Sequence, residues 1–80
     1  MTLSISIAEI EVPMHLRRNT SVLELMESLK EKGMIHPIIV NSENGCPPYK
    51  LVIGYRRLEA AKKLGWLRIP CYVHNNKELL

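Results

Sequence analysis

The stretch LVIGYRRLEAAKKLG, residues 51–65, places the residues best suited to anion chemistry side by side. Gly54 ends an apolar run, and Arg56 and Arg57 follow at the start of a helical pattern. The first turn of a helix carries free backbone N–H groups and the positive end of the helix dipole, so arginines are unfavourable there unless an anion compensates them. A phosphate would accept paired hydrogen bonds from both guanidinium groups. The pattern therefore predicts a phosphate site at which the glycine lets the ligand approach the backbone.

The two arginines also have an ordinary explanation. Glu24, Glu27 or Glu59 would pair with one of them, and water would solvate the other. Residue types alone leave both explanations open, because exposed ion pairs of this kind are common on protein surfaces. The partner of the arginines is thus expected to be either a carboxylate or a phosphate.

Size and charge limit the classes of function. Eighty residues are expected to form one domain, residues 1–80. Such a short chain buries only about 60% of the surface that its unfolded state exposes. Eleven Lys and Arg against eight Asp and Glu give a net charge of +3, which permits an anionic partner without requiring one. Nothing approaches the ~20 apolar residues of a membrane span, and there is no basic leader, so we expect a cytoplasmic protein with no membrane partner.

The cysteines and histidines do not form a metal-binding pattern. Cys46 and Cys71 are too few and too irregularly placed for a zinc site or a disulfide framework. Cys71 is expected to be buried in a strand and Cys46 to lie in a loop. The alternative is a bridge between them, which would be unusual in a reducing compartment. The three histidines also lack metal-ligand spacing, so no metal site of the protein's own is predicted.

The elements that must hold the glycine-arginine corner follow from hydrophobic periodicity. Six are predicted in the order strand, helix, strand, strand, helix, strand, over residues 4–12, 22–32, 37–40, 49–53, 56–64 and 68–73. A polar tail, residues 74–80, follows. This order is typical of the α+β class and predicts a small mixed β-sheet with helices packed against it.

Local signals refine the two helices. Ser21 and Glu24 have the spacing of a capping box at the start of the first helix, and Gly33 is expected to follow its last turn. Gly65 is expected to follow the second helix. Three residues of the second helix are expected to face inward: Leu58, Ala61 and Leu64.

Three stretches resemble the ParB/sulfiredoxin superfamily, specifically a ParB-like N-terminal domain, also called the ParB-like nuclease domain. They are SLKEKGMIHPIIV, YKLVIGYRRLEAAKKLGW and IPCYV, and the resemblance runs from about residue 3 to residue 73. The second stretch is the specific one, because it is similar to the family's G-E-R-R-x-x-A-A box with its trailing L-G. The resemblance implies the ParB/sulfiredoxin-like fold.

The resemblance also implies a site for a nucleoside di- or triphosphate, that is ATP, ADP or CTP, with Mg²⁺ on the phosphates. The residues that bind phosphate in the family correspond to four residues of this chain: Gly54, Tyr55, Arg56 and Arg57. The segment that holds His36 and Pro37 corresponds to the family's contact with base and sugar. His36 stands where glutamine is usual, so the base stays open. Arg17 or Arg18, in the connection before the first helix, is expected to reach over the same site.

Departures from the superfamily's enzymes narrow the chemistry. Sulfiredoxins have a cysteine directly after the box glycine, where this chain has Tyr55, so sulfinic-acid reduction is not expected. Free serine kinases have two acidic groups at the positions where this chain has His15 and Ile53. Chromosome-partition ParB proteins continue into a helix-turn-helix reader and a dimerisation region that the eighty residues do not contain. The DNA clamp is therefore not expected of this chain by itself.

Three hypotheses for function follow. The first is a nucleotide-binding domain in which NTP hydrolysis or phosphotransfer is left open, with His15, His36 and Glu24 as candidate catalytic groups. The second is a DNA-binding ParB-like protein, or a nuclease, that acts in plasmid or chromosome maintenance or in transcription regulation. The third is a regulatory part in which the nucleotide changes how a separate protein partner docks. Trp66 and Tyr72 would serve such an interface, although both are more typical of a core.

Overall fold

The described part of the chain forms a mixed five-stranded sheet and two helices. The computed structural model describes residues 2–17, 21–33 and 36–74. Its elements are β1 (Leu3–Ser6), β2 (Ile10–Glu11), α1 (Leu23–Lys32), β3 (Ile38–Asn41), β4 (Tyr49–Ile53), α2 (Tyr55–Lys63) and β5 (Arg68–His74). The strand order is β1-β5-β3-β4-β2. The pairs β1–β5 and β3–β4 are antiparallel, and the pairs β3–β5 and β2–β4 are parallel. The predicted α+β class with a small mixed sheet is confirmed.

The prediction of one strand over residues 4–12 is wrong. A 3₁₀ turn at Ile7–Glu9 divides the segment into β1 and β2, which lie at opposite edges of the sheet. The spacing of the isoleucines explains the break: Ile5 and Ile7 are two residues apart, whereas Ile7 and Ile10 are three apart. A continuous strand would turn one of these residues to the other face of the sheet. The turn instead allows Ile5 and Ile10 to be buried in two different strands.

The short connection between the edge strands requires the sheet to curl. The steps from Ser6 to Ile10 span at most about 14 Å. The first and fifth strands of a flat sheet would lie about 19 Å apart. The two edges must therefore approach one another. The Ile7 N–H donates a hydrogen bond to the Leu67 carbonyl at 3.0 Å, which ties the turn to the chain just before β5.

Helix α2 packs on one face of the sheet, and α1 packs on α2. Leu58 and Ala61 are fully buried in the core with the strand residues, as predicted. A second buried cluster forms between the helices: Val22, Leu29 and Ala60. Leu64, which was also expected to face inward, is partly buried against this second cluster.

The two aromatic residues expected in the core have different environments. Trp66 is partly buried and contacts both clusters. Tyr72 is 42% exposed, so its prediction as a core residue is wrong. Its neighbours in β5, Cys71 and Val73, belong to the core, and successive side chains of a strand point to opposite faces. Tyr72 therefore lies on the face of the sheet that the helices leave open.

The helix boundaries agree with the sequence to within one residue, but the predicted capping box is wrong. The residue that precedes α1 is Val22, and no side-chain hydrogen bond caps the helix. Val22 is 2% exposed, so burial of its side chain between the helices decides where α1 begins. Gly33 follows α1 with φ 72° and donates its N–H to the Leu29 carbonyl, as expected of a C-terminal glycine. None of the helices in the described part of the chain has the length and apolar character of a membrane span.

Gly54 is the corner between β4 and α2, and two constraints require glycine there. Its φ of 108° and ψ of 28° are left-handed. A Cβ atom at this position would lie 2.6 Å from Cγ2 and 2.9 Å from Cβ of Ile38. Since Ile38 is fully buried in β3, it has no room to move away. The start of α2 is thus pressed directly onto the sheet.

We expect Gly54→Ala to lower the free energy of unfolding by about 2–5 kcal/mol, through left-handed strain added to overpacking against Ile38. Gly65→Ala is the matched control, because Gly65 also has a positive φ, 83°, but nothing lies within 4 Å of a Cβ there. Strain alone would cost this control about 1–2 kcal/mol. Urea unfolding followed by circular dichroism measures both values, and equal losses would contradict the steric part of the explanation.

Candidate functional site

The candidate site lies at the start of α2, where the two adjacent arginines point in different directions. Arg56 is exposed, and its Nη2 approaches the Ser21 carbonyl at 3.4 Å, just before α1. Arg57 is partly buried, and its Nη1 donates to the carbonyls of His36 and Pro37 at 2.6 Å and 3.3 Å. One arginine therefore faces the start of α1, and the other holds the segment that leads into β3.

Within the described residues, neither helix has a side-chain hydrogen bond that caps its start. In α2 the N–H of Leu58 donates to the Gly54 carbonyl at 2.9 Å, and the N–H groups before it have no acceptor within the helix. In α1 the N–H of Met26 donates to the Val22 carbonyl at 2.8 Å. The N–H groups before Met26 likewise have no acceptor within the helix. Because Arg56 belongs to the first turn of α2 and its Nη2 approaches the Ser21 carbonyl, its guanidinium group lies near the starts of both helices.

The expected carboxylate partner of the arginines is not observed among the described residues. Glu59 pairs instead with Lys62, at 3.3 Å, on the exposed side of α2. The partners of Arg56 and Arg57 are carbonyl oxygens, which accept hydrogen bonds but carry no net charge. The start of α2 therefore combines the positive end of a helix dipole with two cations that no described acidic side chain neutralises.

Arg17 lies at another side of the same helix start. With Tyr55, Glu59 and Lys62 it lines an open cleft of about 460 Å³ that β2 borders. Its Nε donates to the Val12 carbonyl at 3.2 Å. Arg17 thus shares a cleft with Tyr55 but not with the arginine pair, and its reach over the phosphate site stays a prediction. Arg18, named with it, lies outside the described residues.

The candidate catalytic groups are spread over three elements. His15 is exposed in a 3₁₀ turn, Met14–Leu16, and Glu24 is exposed in the first turn of α1. His36 is exposed, and its own carbonyl is the acceptor of the Arg57 bond. Of the three, only His36 is joined to the corner by a hydrogen bond within the described part of the chain. No group of three or more His, Cys, Asp or Glu in those ranges could hold a metal ion.

The two cysteines are free and differ in environment. Cys71 is fully buried in β5, and Cys46 is exposed in the loop between β3 and β4, as the first of the two alternatives predicted. The alternative of a bridge is wrong. Burial raises the pKa of the Cys71 thiol to about 11. Tyr55, and not a cysteine, is the first residue of α2.

A curled mixed sheet with a glycine-arginine corner between β4 and α2 defines a ParB/sulfiredoxin-like domain. The chain belongs to the ParB N-terminal domain family, which its sequence matches over residues 2–79. A nucleoid occlusion protein from Bacillus cytotoxicus is 40% identical over 53 residues, which are 65% of this chain and 18% of that protein. The chain thus spans less than a fifth of that relative's length.

Solved structures of both branches of the superfamily are similar to this fold. Sulfiredoxin from Arabidopsis thaliana has a TM-score of 0.84 at 31% identity, with 99% of this chain and 91% of that chain covered. The C-terminally truncated ParB from Caulobacter crescentus, complexed with CTP-γ-S, has a TM-score of 0.79 at 27% identity over 99% of this chain and 47% of that chain. The same ParB complexed to the centromeric parS site has a TM-score of 0.75 at 28% identity, covering 96% and 42%.

Sequence reasoning missed two features of the site. Tyr55, Glu59 and Lys62 recur at helical spacing and form one face of α2, which a helical projection of the second helix would have revealed. The bonds from Arg57 to the carbonyls of residues 36 and 37 have no sequence signal, because they depend on how β3 and α2 are placed in space.

The environments of the two thiols predict a clear difference in reactivity. The thiolate is the reactive form, and the raised pKa of Cys71 keeps its thiol protonated at pH 8 while burial blocks access. We expect an aromatic disulfide reagent to titrate one thiol per native chain and two in urea. Cys46→Ser should abolish the native reaction, and two fast thiols in the native parent would contradict the buried position of Cys71.

Proposed function

We propose that this chain is a nucleotide-binding domain that holds the phosphates of a nucleoside di- or triphosphate at the start of α2. The observation that carries the proposal is the uncapped helix start, with Arg56 exposed beside it and no described carboxylate as its partner. Backbone N–H groups, a helix dipole and a guanidinium group together favour a phosphate. The similarity to a ParB solved with CTP-γ-S supports the same reading.

The nucleoside part is proposed to lie along the segment of His36 and Pro37. Both residues directly precede β3 and contact Arg57 through their carbonyls. The exposed imidazole of His36 offers a flat face and two ring nitrogens to a base. ATP, ADP and CTP all remain candidates. Since the described residues offer no acidic cluster, Mg²⁺ enters this proposal only as a companion of the phosphates.

Binding is the core of the proposal, and turnover is its extension. Arg56 is suited to stabilise charge on a phosphate, which phosphoryl transfer requires. A hydrolase or kinase also needs a group that orients water or a hydroxyl. His36 is the candidate for this role, because its carbonyl accepts a hydrogen bond from Arg57 at the corner. Phosphate release, measured on the same samples as binding, decides whether the domain is also an enzyme.

Calorimetric titration with ATP, ADP, CTP and GTP, with and without Mg²⁺, tests the proposal. At least one nucleotide is expected to bind the parent, and Arg56→Ala should weaken binding by about tenfold or more through loss of a charge-assisted hydrogen bond. Lys63→Ala is the matched control, because it removes the same charge at the opposite end of α2 and should change affinity less than about twofold. If the parent binds none of the four nucleotides, the proposal is wrong.

DNA binding is the second candidate function. Exposed cations on both helices favour it: Lys30, Lys32, Arg56 and Lys63. The similarity to a ParB complexed to its centromeric site adds support. Such a surface would act through the phosphate backbone, since lysines on a helix surface carry charge rather than sequence specificity.

Salt dependence separates this candidate from nonspecific adhesion. If duplex DNA binds, the logarithm of the association constant should fall linearly with the logarithm of salt concentration, by about 0.9 per phosphate neutralised. Lys63→Ala should then reduce the slope by about 0.9. Fluorescence anisotropy of a labelled duplex measures both. An affinity that does not change with salt would rule out this candidate.

A further inference from the structure

The bonding of Arg57 differs from that of Arg56 in a way that bears on their roles. Nη1 of Arg57 lies 2.6 Å from the His36 carbonyl and 3.3 Å from the Pro37 carbonyl. The short bond to the His36 carbonyl engages Nη1 firmly, and the longer contact to the Pro37 carbonyl adds to it. The frontal fork, which needs Nη1 and Nη2 together, is therefore not free for a phosphate as long as the bond to His36 persists.

The segment that Arg57 holds also touches the corner in a second place. Ile38 follows Pro37 directly, and it is the residue on which Gly54 is pressed. Residues 36–38 are thus attached to the start of α2 twice, by the contact of Ile38 beneath the glycine and by the carbonyls of residues 36 and 37 on Arg57. The contact with Gly54 fixes the distance between the segment and the start of α2. The bonds to Arg57 fix the orientation of the segment relative to that helix.

Arg56 has no comparable attachment. Among the described residues its hydrogen-bond partner is the Ser21 carbonyl, at 3.4 Å, and the side chain is exposed. A contact of this length is near the limit for a hydrogen bond and is readily exchanged for a better acceptor. Arg56 therefore keeps its charge and its planar fork available, whereas Arg57 is committed to the protein.

We propose that Arg57 is a positioning residue, which orients the segment of His36 and Pro37 relative to α2, and that Arg56 with the helix start makes the phosphate contacts. This inference rests on the proposed function and divides its two arginines between two tasks. Arg57 would then affect the fit of the nucleoside part without touching the phosphates.

Two probes distinguish a positioning residue from a phosphate ligand. The full chain is titrated with the tightest-binding nucleoside triphosphate and, separately, with inorganic tripolyphosphate. Arg56→Ala is expected to weaken both by about tenfold or more, since it removes a phosphate contact. Arg57→Ala is expected to weaken the nucleotide by about tenfold and to change tripolyphosphate affinity less than about twofold. Arg57→Lys retains the charge and disturbs the fold less. It should also weaken the nucleotide more than tripolyphosphate, but by a smaller factor than Arg57→Ala.

A measurement without ligand tests the positioning directly. The His36 ring proton resonances, assigned with His36→Ala, are recorded by NMR for the parent and the arginine variants. Loss of the Arg57 bond should shift them, and Arg56→Ala should leave them unchanged. Thermal melting by circular dichroism establishes the temperature at which each variant is folded, so that affinity losses from unfolding are not counted.

The outcomes separate this inference from the proposed function. If the parent binds neither probe, the proposed function fails and this inference fails with it. If the parent binds both, and folded Arg57→Ala and Arg57→Lys lose equal factors for both probes, Arg57 is a phosphate ligand through its Nε and Nη2 edge. That result, or an unshifted His36 resonance in Arg57→Ala, overturns the positioning role and leaves the nucleotide site standing.

Discussion

The close approach of Gly54 to Ile38 is the contact on which the rest of the structure depends. Without a Cβ at the corner, the backbone rests directly on a fully buried residue of β3. This contact sets where α2 begins relative to the sheet, and with it the direction of the first-turn N–H groups. Because α1 packs on α2 more than on the sheet, the position of α1 follows from the same contact.

The charges at the corner are held by polar contacts that do not neutralise them. Carbonyl oxygens orient both guanidinium groups, and the nearby Glu59 is engaged by Lys62. Exposure to water makes this arrangement tolerable, since solvent screens the repulsion between two neighbouring cations. Exposed ion pairs with carboxylates would add little stability, so the fold loses little by holding these guanidinium groups on backbone carbonyls instead.

The sequence predicted the parts of the fold that follow from local periodicity, and it failed where tertiary packing decides. Helix α2 and its buried residues Leu58 and Ala61 were predictable because apolar spacing and a flanking glycine agree. Ser21 was expected to cap α1, but burial of Val22 between the helices outweighs a capping hydrogen bond. The glycine-arginine corner was predicted from residue types, whereas the opposed directions of Arg56 and Arg57 depend on the segment before β3, twenty residues away from Arg57.

The 3₁₀ turn at Ile7–Glu9 gives the sheet an unusual kind of closure. One short segment supplies both edge strands, so the turn links the two opposite edges of the curled sheet directly. Because the connection between β1 and β2 is short, each strand restrains the position of the other. If one strand separates from the sheet, the other loses that restraint. The two margins of the sheet, far apart in strand order, should therefore open together in native-state fluctuations. We therefore expect another chain to gain access to both margins under the same conditions.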